Sequence, residues 1–218
     1  MPIAVLLAVF FLTPWFWKLF KINPLILLLL IVFNFMLLYI TFKSPKKIIK
    51  IATFVLFLLL IFYNLQKGFD KGIWTINQNQ ALEQNRRHSF YAASLGKIYT
   101  NKIGLLYYTK ISDPLTRLQK NLFSNLEINL YFFASHPRER TDANEFEKYS
   151  FLLLPFFLIG IFYMVKKNIL SLELFFLAAI LISAFININY VLGPILFFPL
   201  INTVITLGFL FVIRKKML

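Results

Sequence analysis

The sequence predicts an all-α membrane protein: a polytopic helix bundle of about six transmembrane helices with one helical extracytoplasmic segment. The residues from Leu174 to Ile213 carry no charged side chain, and several shorter uncharged runs precede them. Hydrophobic residues make up 59% of the 218-residue chain. Because an apolar run of about 20 residues crosses the hydrocarbon core of a bilayer as a helix, repeated runs indicate several crossings.

The first membrane unit is expected at residues 1–66 and contains three helices. The first of them ends with Trp15, Trp17 and Lys18, a combination typical of a membrane-water interface. No basic segment precedes its apolar run, so we expect a retained helix rather than a removable secretion signal. The second begins at Pro24, since proline is favoured at the first helical position. These helices are expected at about 2–18, 24–42 and 49–65.

The second membrane unit is expected at residues 149–218 and contains three more helices. The uncharged run of this unit is too long for one crossing, and Asn187, Asn189, Gly193 and Pro194 interrupt it near its middle. Its lone acidic residue, Glu173, is expected at a helix N-terminus, where a negative charge is favoured, in a structural role at the interface. The helices of this unit are expected at about 149–165, 169–186 and 191–213.

Lysine and arginine residues in the short connections predict the orientation of the bundle. One side receives Lys43, Lys46, Lys47, Lys50, Lys166, Lys167, Arg214, Lys215 and Lys216. The other side receives Lys18 and Lys21. Because cytoplasmic connections carry the basic excess, we expect both termini in the cytoplasm and residues 67–148 outside the plasma membrane.

The extracytoplasmic segment, residues 67–148, is expected to be helical. One helix is predicted from Gln80 to Tyr99. Another is predicted from Ser112, where the sequence Ser-Asp-Pro supplies a capping residue and a first-turn proline. Its apolar face packs on the other helix or lies along the membrane surface. That face consists of Leu115, Leu118, Leu122 and Leu126.

The candidate ligand-binding residues all lie in this segment. They are Arg86, Arg87, His136, Arg138, Glu139 and Arg140. Guanidinium groups bind phosphate bidentately, so these residues favour an anionic or polyprenyl-phosphate lipid as ligand. The alternative is a solvated junction in which charges of opposite sign pair with one another just above the membrane.

Composition argues against several other classes of protein. The net charge of +14 is explained by lysines that flank helices and meet anionic headgroups, so no nucleic-acid partner is expected. The chain has no cysteine, which excludes thiolate catalysis and cysteine-based metal sites. Its two histidines, His88 and His136, have no carboxylates at characteristic ligand spacing, and no phosphate-binding glycine loop or nucleophile elbow is present. We therefore expect neither a metal nor a cofactor.

Aromatic motifs follow one another in a recognisable order. They are Asn101-Lys102, Tyr107-Tyr108, the run NLFSNLEINLYFF at 121–133 and the run FLLLPFFLIG at 151–160. Over about 85–210 this order resembles the outer segment and following helix in the later half of GT-C-type polytopic membrane glycosyltransferases. The stretch from Tyr190 to Leu200, with its prolines, is similar to a later helix start in that family.

The resemblance implies a transferase that uses a sugar carried on polyprenyl phosphate, or a remnant or subunit of one. Members of the family use an acidic residue in their first external loop. The connection at 18–24 has no Asp or Glu, and this chain is much shorter than those enzymes. No catalytic residue is therefore carried over to this sequence.

The sequence favours a non-catalytic multi-pass protein of the cell envelope. Its external segment is expected to bind a lipid headgroup, an envelope component or another membrane protein. The alternative is a GT-C-related glycosyltransferase, as remnant or subunit. A small transporter is disfavoured because so few ionisable groups are expected within the membrane.

Overall fold

A computed structural model describes residues 1–43, 46–75, 78–133 and 146–216. Throughout these ranges the chain forms helices joined by turns. Phe69 and Ile186 form an isolated antiparallel β-bridge. The predicted all-α helical bundle is therefore confirmed for the described part of the chain.

The N-terminal apolar run forms two helices rather than the single helix expected at about 2–18. Helix α1 spans Pro2–Leu12 and helix α2 spans Pro14–Ile22, with a bend of 74° between them. Thr13 has extended backbone, and Pro14 has no N–H with which to continue α1. Hydropathy alone carries no signal for this change of direction.

Among the described residues, helices α3 (Pro24–Phe42) and α4 (Lys47–Gly68) are the two that are long and apolar enough to cross a membrane. The bent pair α1 and α2 would make a third if it counts as one span. Asn23 caps α3, because its side chain accepts a hydrogen bond of 3.2 Å from the backbone N–H of Ile26.

The polar middle of the chain is a series of shorter helices. They are α5 (Gln78–Leu95), α6 (Lys97–Thr100), α7 (Lys102–Leu106), a π-helical turn (Tyr107–Ile111), α8 (Ser112–Leu126) and α9 (Ile128–Phe132). Gly96 ends α5 with a φ of 53°, which glycine adopts readily. The capping role expected of Ser112 was wrong: helical backbone runs from Lys102 through Leu126, and no side chain caps α8.

Three further apolar helices complete the described part of the bundle. They are α10 (Leu154–Lys166), α11 (Leu170–Ser183) and α12 (Phe197–Lys216). The last begins six residues later than the expected 191, because residues 187–196 form an irregular connection in which Gly193 has a φ of 64°. The expected interruption of the long uncharged run is therefore present.

Helix α12 is the centre of the bundle and packs against α1, α3, α10 and α11. Its closest partner is α10, and two glycines make this approach possible. A Cβ atom at Gly160 would overlap the carbonyl oxygen of Val204, and one at Gly208 would overlap that of Phe156. Small residues allow helix backbones to approach closely where helix packing provides cohesion.

The outer surface of the bundle is apolar. Large side chains that are more than half exposed include Leu28, Phe54, Leu59, Phe62, Phe162 and Leu177. An exposed apolar surface of this extent marks an interaction site such as a membrane contact. We call the bundle end that carries Lys43, Lys50 and Lys166 the lysine end, and the opposite end, at Gly68, the segment end.

Candidate functional site

Asp70 ties the polar middle of the chain to the segment end of the bundle. Its backbone N–H donates to the carbonyl oxygen of Phe185 at 2.9 Å. One carboxylate oxygen accepts from the N–H of Gly72 at 2.9 Å and from the Asn187 amide at 3.3 Å. The other accepts from the Asn121 amide at 2.8 Å. These bonds join α4, α8 and the connection before α12.

Helix α8 is fixed to the bundle by a second set of bonds. The buried amide of Asn125 donates to the carbonyl oxygens of Ser183 and Ile186, both at 2.9 Å. The Arg117 guanidinium donates to the carbonyl oxygen of Gly72. Buried carbonyls that receive such bonds avoid the cost of desolvation without a partner. The position of α8 relative to α4 is therefore well defined.

A groove opens where α5 faces the helical run from Lys102 to Leu126. Its main cavity has a volume of about 400 Å³ and an adjoining one of about 170 Å³. Both are lined by Gln84, Arg87 and Asp113. The Gln84 amide donates to the carbonyl oxygen of Tyr108 at 2.9 Å, which holds the two walls together. We call this cavity pair the arginine-tyrosine groove.

Tyrosine rings form one wall of the arginine-tyrosine groove. The ring centroids of Tyr99 and Tyr108 are 4.3 Å apart, and Tyr91 stacks on Tyr108 at 6.0 Å. The buried hydroxyl of Tyr99 is 2.9 Å from Nδ1 of His88. Burial raises the pKa of the Tyr99 phenol, and Tyr108 and Tyr91 add to the rise.

Two arginines of α5 also line the groove, and both are exposed. Arg87 pairs with Glu83 one turn earlier, at 2.5 Å, with 67% and 61% of the two side chains exposed. Exposed pairs at this spacing contribute about 0.3–0.5 kcal/mol, so an anionic ligand can displace Glu83 at little cost. Arg86 lines the main cavity beside Arg87.

The structure brings two of the six predicted site residues, Arg86 and Arg87, into one groove. His136, Arg138, Glu139 and Arg140 lie outside the described residues. Their convergence on the groove stays a prediction. The sequence interpretation missed the tyrosines and Asp113, although the recurrence of tyrosine at 91, 99, 107 and 108 was a signal for an aromatic surface.

Lys148 is a buried cation in the stretch that precedes α10. It is 4% exposed, and its Nζ lies 5.4–5.6 Å from the rings of Trp15, Tyr131 and Phe146. Nζ also donates to the carbonyl oxygen of Leu130 at 3.3 Å. Aromatic faces attract cations, most strongly where water is excluded. Lys148 therefore joins α2, α9 and the start of the second membrane unit.

Within the described ranges, no group of three or more His, Cys, Asp or Glu side chains is placed to hold a metal ion. Of the two histidines, His88 contacts Tyr99 and His136 lies outside these ranges.

Comparison of the chain with protein-family models, with curated proteins and with solved structures finds no match. The resemblance to GT-C-type transferases therefore stays a prediction.

Proposed function

We propose that this chain is a multi-pass protein of the plasma membrane whose extracytoplasmic segment binds an anionic lipid headgroup in the arginine-tyrosine groove. In this proposal α1, as the inserted part of the bent pair α1 and α2, belongs to the first of six spans, α3, α4, α10, α11 and α12 form the other five, and both termini are cytoplasmic. Helix α2, which carries Lys18 and Lys21 beside Trp17, lies in the interface. The shorter helices α10 and α11 reach the lysine end through flanking lysines that extend to the headgroups.

The observation that carries the proposal is that Arg86, Arg87 and three tyrosines line one cavity of about 400 Å³. Guanidinium and phenol groups both donate hydrogen bonds, and phosphate oxygens accept them. Tyrosine also suits the boundary between apolar tails and water. A phosphate-bearing headgroup matches this combination better than a neutral ligand does.

The position of the groove also favours a lipid. Asp113 lines both cavities and lies one helical turn, about 5.4 Å, from Arg117, which contacts Gly72 beyond the end of α4. Headgroup layers extend only a few ångströms beyond the hydrocarbon core, since the core is about 30 Å thick and the whole bilayer about 40–45 Å. In this proposal a groove at this level lies among the lipid headgroups rather than in bulk solution.

Calorimetric titration with water-soluble short-chain phosphatidylglycerol tests the proposal on the purified full chain in neutral detergent. Replacing both groove arginines (Arg86→Gln with Arg87→Gln) should weaken binding by at least tenfold, which is about 1.4 kcal/mol. The matched control removes two exposed lysines of the same segment that do not line the groove, Lys97→Gln with Lys102→Gln.

Equal loss in both double variants would indicate diffuse attraction by the segment and would refute a groove site. Inorganic phosphate provides the second arm of the titration. Binding of phosphate as tight as that of the short-chain lipid would identify a free anion as the ligand instead.

The GT-C-related transferase is the second candidate, and one observation favours it. The carboxylate of Asp113 lines both cavities beside Arg87, where a ligand phosphate would sit. Asp113→Asn separates the two candidates. A transferase loses turnover of a polyprenyl-phosphate sugar while retaining lipid binding, whereas a binding protein has no turnover to lose.

A further inference from the structure

The lysine end of the bundle contains a cleft between α3, α4 and α11. Its volume is about 550 Å³, within the range of cavities that hold small molecules. It is remote from the arginine-tyrosine groove, because the contacts that attach the polar middle all lie beyond Gly68 at the other end of α4. The cleft shares no lining residue with the arginine-tyrosine groove.

The walls of the cleft are apolar and its mouth is cationic. Phe54, Phe57, Leu174 and Phe175 form the greater part of the wall, and Ala178 lies at the deep end. Phe57 is buried and packs edge-on against Phe175, with ring centroids 4.8 Å apart. Apart from the hydroxyl of Ser171, the lining below the lysines is apolar, and such a surface accepts a hydrocarbon chain.

Lys43 and Lys50 stand at the mouth, one at the end of α3 and the other in the first turns of α4. Lys46 and Lys47 lie between them in sequence, and both are exposed. Glu173, the acidic residue of α11, is not among the lining residues. The mouth therefore has a net positive charge that the cleft itself does not neutralise.

We infer that this cleft is a binding site for one anionic phospholipid of the leaflet at the lysine end, with its phosphate between Lys43 and Lys50 and an acyl chain against Phe54 and Leu174. Charge complementarity identifies the occupant: basic pockets between membrane helices on the cytoplasmic side bind anionic headgroups. A peptide helix or a second copy of this chain would meet lysines at the mouth and would need an acidic partner for them. The lipid supplies both the apolar chain and the negative charge.

Native mass spectrometry of the full chain, released from nanodiscs of phosphatidylcholine mixed with phosphatidylglycerol, tests the inference. The experiment is done in the Arg86→Gln/Arg87→Gln background, so that any lipid retained does not come from the arginine-tyrosine groove. The parent should retain one phosphatidylglycerol in preference to phosphatidylcholine. Adding Lys43→Gln and Lys50→Gln should lower the retained fraction on the order of tenfold.

Two controls make the result specific to the cleft. Lys46→Gln with Lys47→Gln removes the same charge from the same connection but not from the lining, and should leave retention nearly unchanged. Ala178→Phe fills the deep end while leaving every lysine in place, and should displace the lipid.

Equal loss in both lysine pairs, or full retention in Ala178→Phe, would overturn the inference. A dimer that Ala178→Phe dissociates, without bound lipid, would identify a second copy as the occupant and overturn it as well. Because the arginine-tyrosine groove is already disabled in this background, loss of the cleft inference does not affect the proposal for that groove. Loss of the groove proposal likewise does not affect the inference for the cleft.

Discussion

The helix bundle and the polar middle of the chain use their buried polar side chains in opposite ways. In the bundle, Thr53 and Thr206 bond to carbonyls of their own helix, those of Ile49 and Asn202, and the exception is Asn34, which bonds from α3 to α12. In the polar middle, Asn121 and Asn125 both reach other elements. The bundle is therefore held mainly by packing, whereas the polar middle is attached by hydrogen bonds between elements.

The difference has a physical reason. Within an apolar bundle the hydrophobic effect distinguishes poorly between helix and lipid, so close packing at small residues provides the specificity. The polar middle contains short helices that cannot bury a large core of their own. Its position then depends on a few directional bonds to carbonyls that the ends of α4 and α11 leave unsatisfied.

The largest effect is expected at the glycine contact of the bundle. Gly160→Ala places a methyl group against the carbonyl oxygen of Val204, so α10 and α12 must separate. We expect a loss of roughly 3 kcal/mol, the upper end of what overpacking costs. Unfolding in detergent, followed by circular dichroism, measures it. Ala52→Val, on the exposed face of α4, adds a larger group and should change stability little.

The next effect is expected at the attachment of the polar middle. Asn125→Leu leaves the carbonyls of Ser183 and Ile186 without their donor and should cost about 2 kcal/mol. Hydrogen-deuterium exchange should rise in α8 while α10 and α12 stay protected. Asn129→Leu, on the neighbouring helix α9, is the control. Similar exchange in both variants would show that the Asn125 bonds do not hold the segment.

A smaller effect distinguishes two buried asparagines of the bundle, Asn34 and Asn202. Asn34 does so, donating to the carbonyl of Pro199 at 3.0 Å and accepting from Thr203 at 3.1 Å. The Asn202 amide has no hydrogen-bond partner among the described residues. Asn34→Leu should cost about 1 kcal/mol, whereas Asn202→Leu should be neutral or stabilising. Equal destabilisation by both changes contradicts this distinction.

The smallest effect concerns alkaline pH. Burial, with a further contribution from Tyr63, raises the pKa of Tyr190 to about 12, against 10.0 for the free phenol. The folded state thus binds the proton more tightly, so this stabilisation is present below pH 10 and is lost as pH rises towards 12. Tyr190→Phe should flatten the decline of stability in that window. If the stability of the parent and of Tyr190→Phe declined equally between pH 10 and pH 12, Tyr190 would be in contact with solvent.

Hydropathy predicted the apolar helices because the length and the ends of an apolar run can be counted directly in the sequence. The boundaries of α3 and α10 to α12 follow the expected ranges within a few residues, except where residues 187–196 delay the last helix. The bend at Thr13 was not predicted, since a proline inside an apolar run also suits a kinked or continuous span.

The candidate site was less predictable. Arg86 and Arg87 were chosen for their charge, and that reasoning holds without knowledge of the fold. The tyrosine wall and the role of Asp113 depend on how α5 meets a different helix, which no local pattern encodes. The burial of Lys148 could not be predicted for the same reason, because it depends on the rings of Trp15 and Tyr131, which are distant in sequence.

Cysteine labelling tests the central claim most directly, namely that the polar middle and the lysine end lie on opposite sides of a membrane. The chain has no native cysteine, so single substitutions report unambiguously. Ser94→Cys in α5 and Lys46→Cys before α4 are both exposed positions. A membrane-impermeant maleimide added to intact cells should label Ser94→Cys, and should label Lys46→Cys only after the membrane is permeabilised. Labelling of both in intact cells, or of neither, would contradict the account.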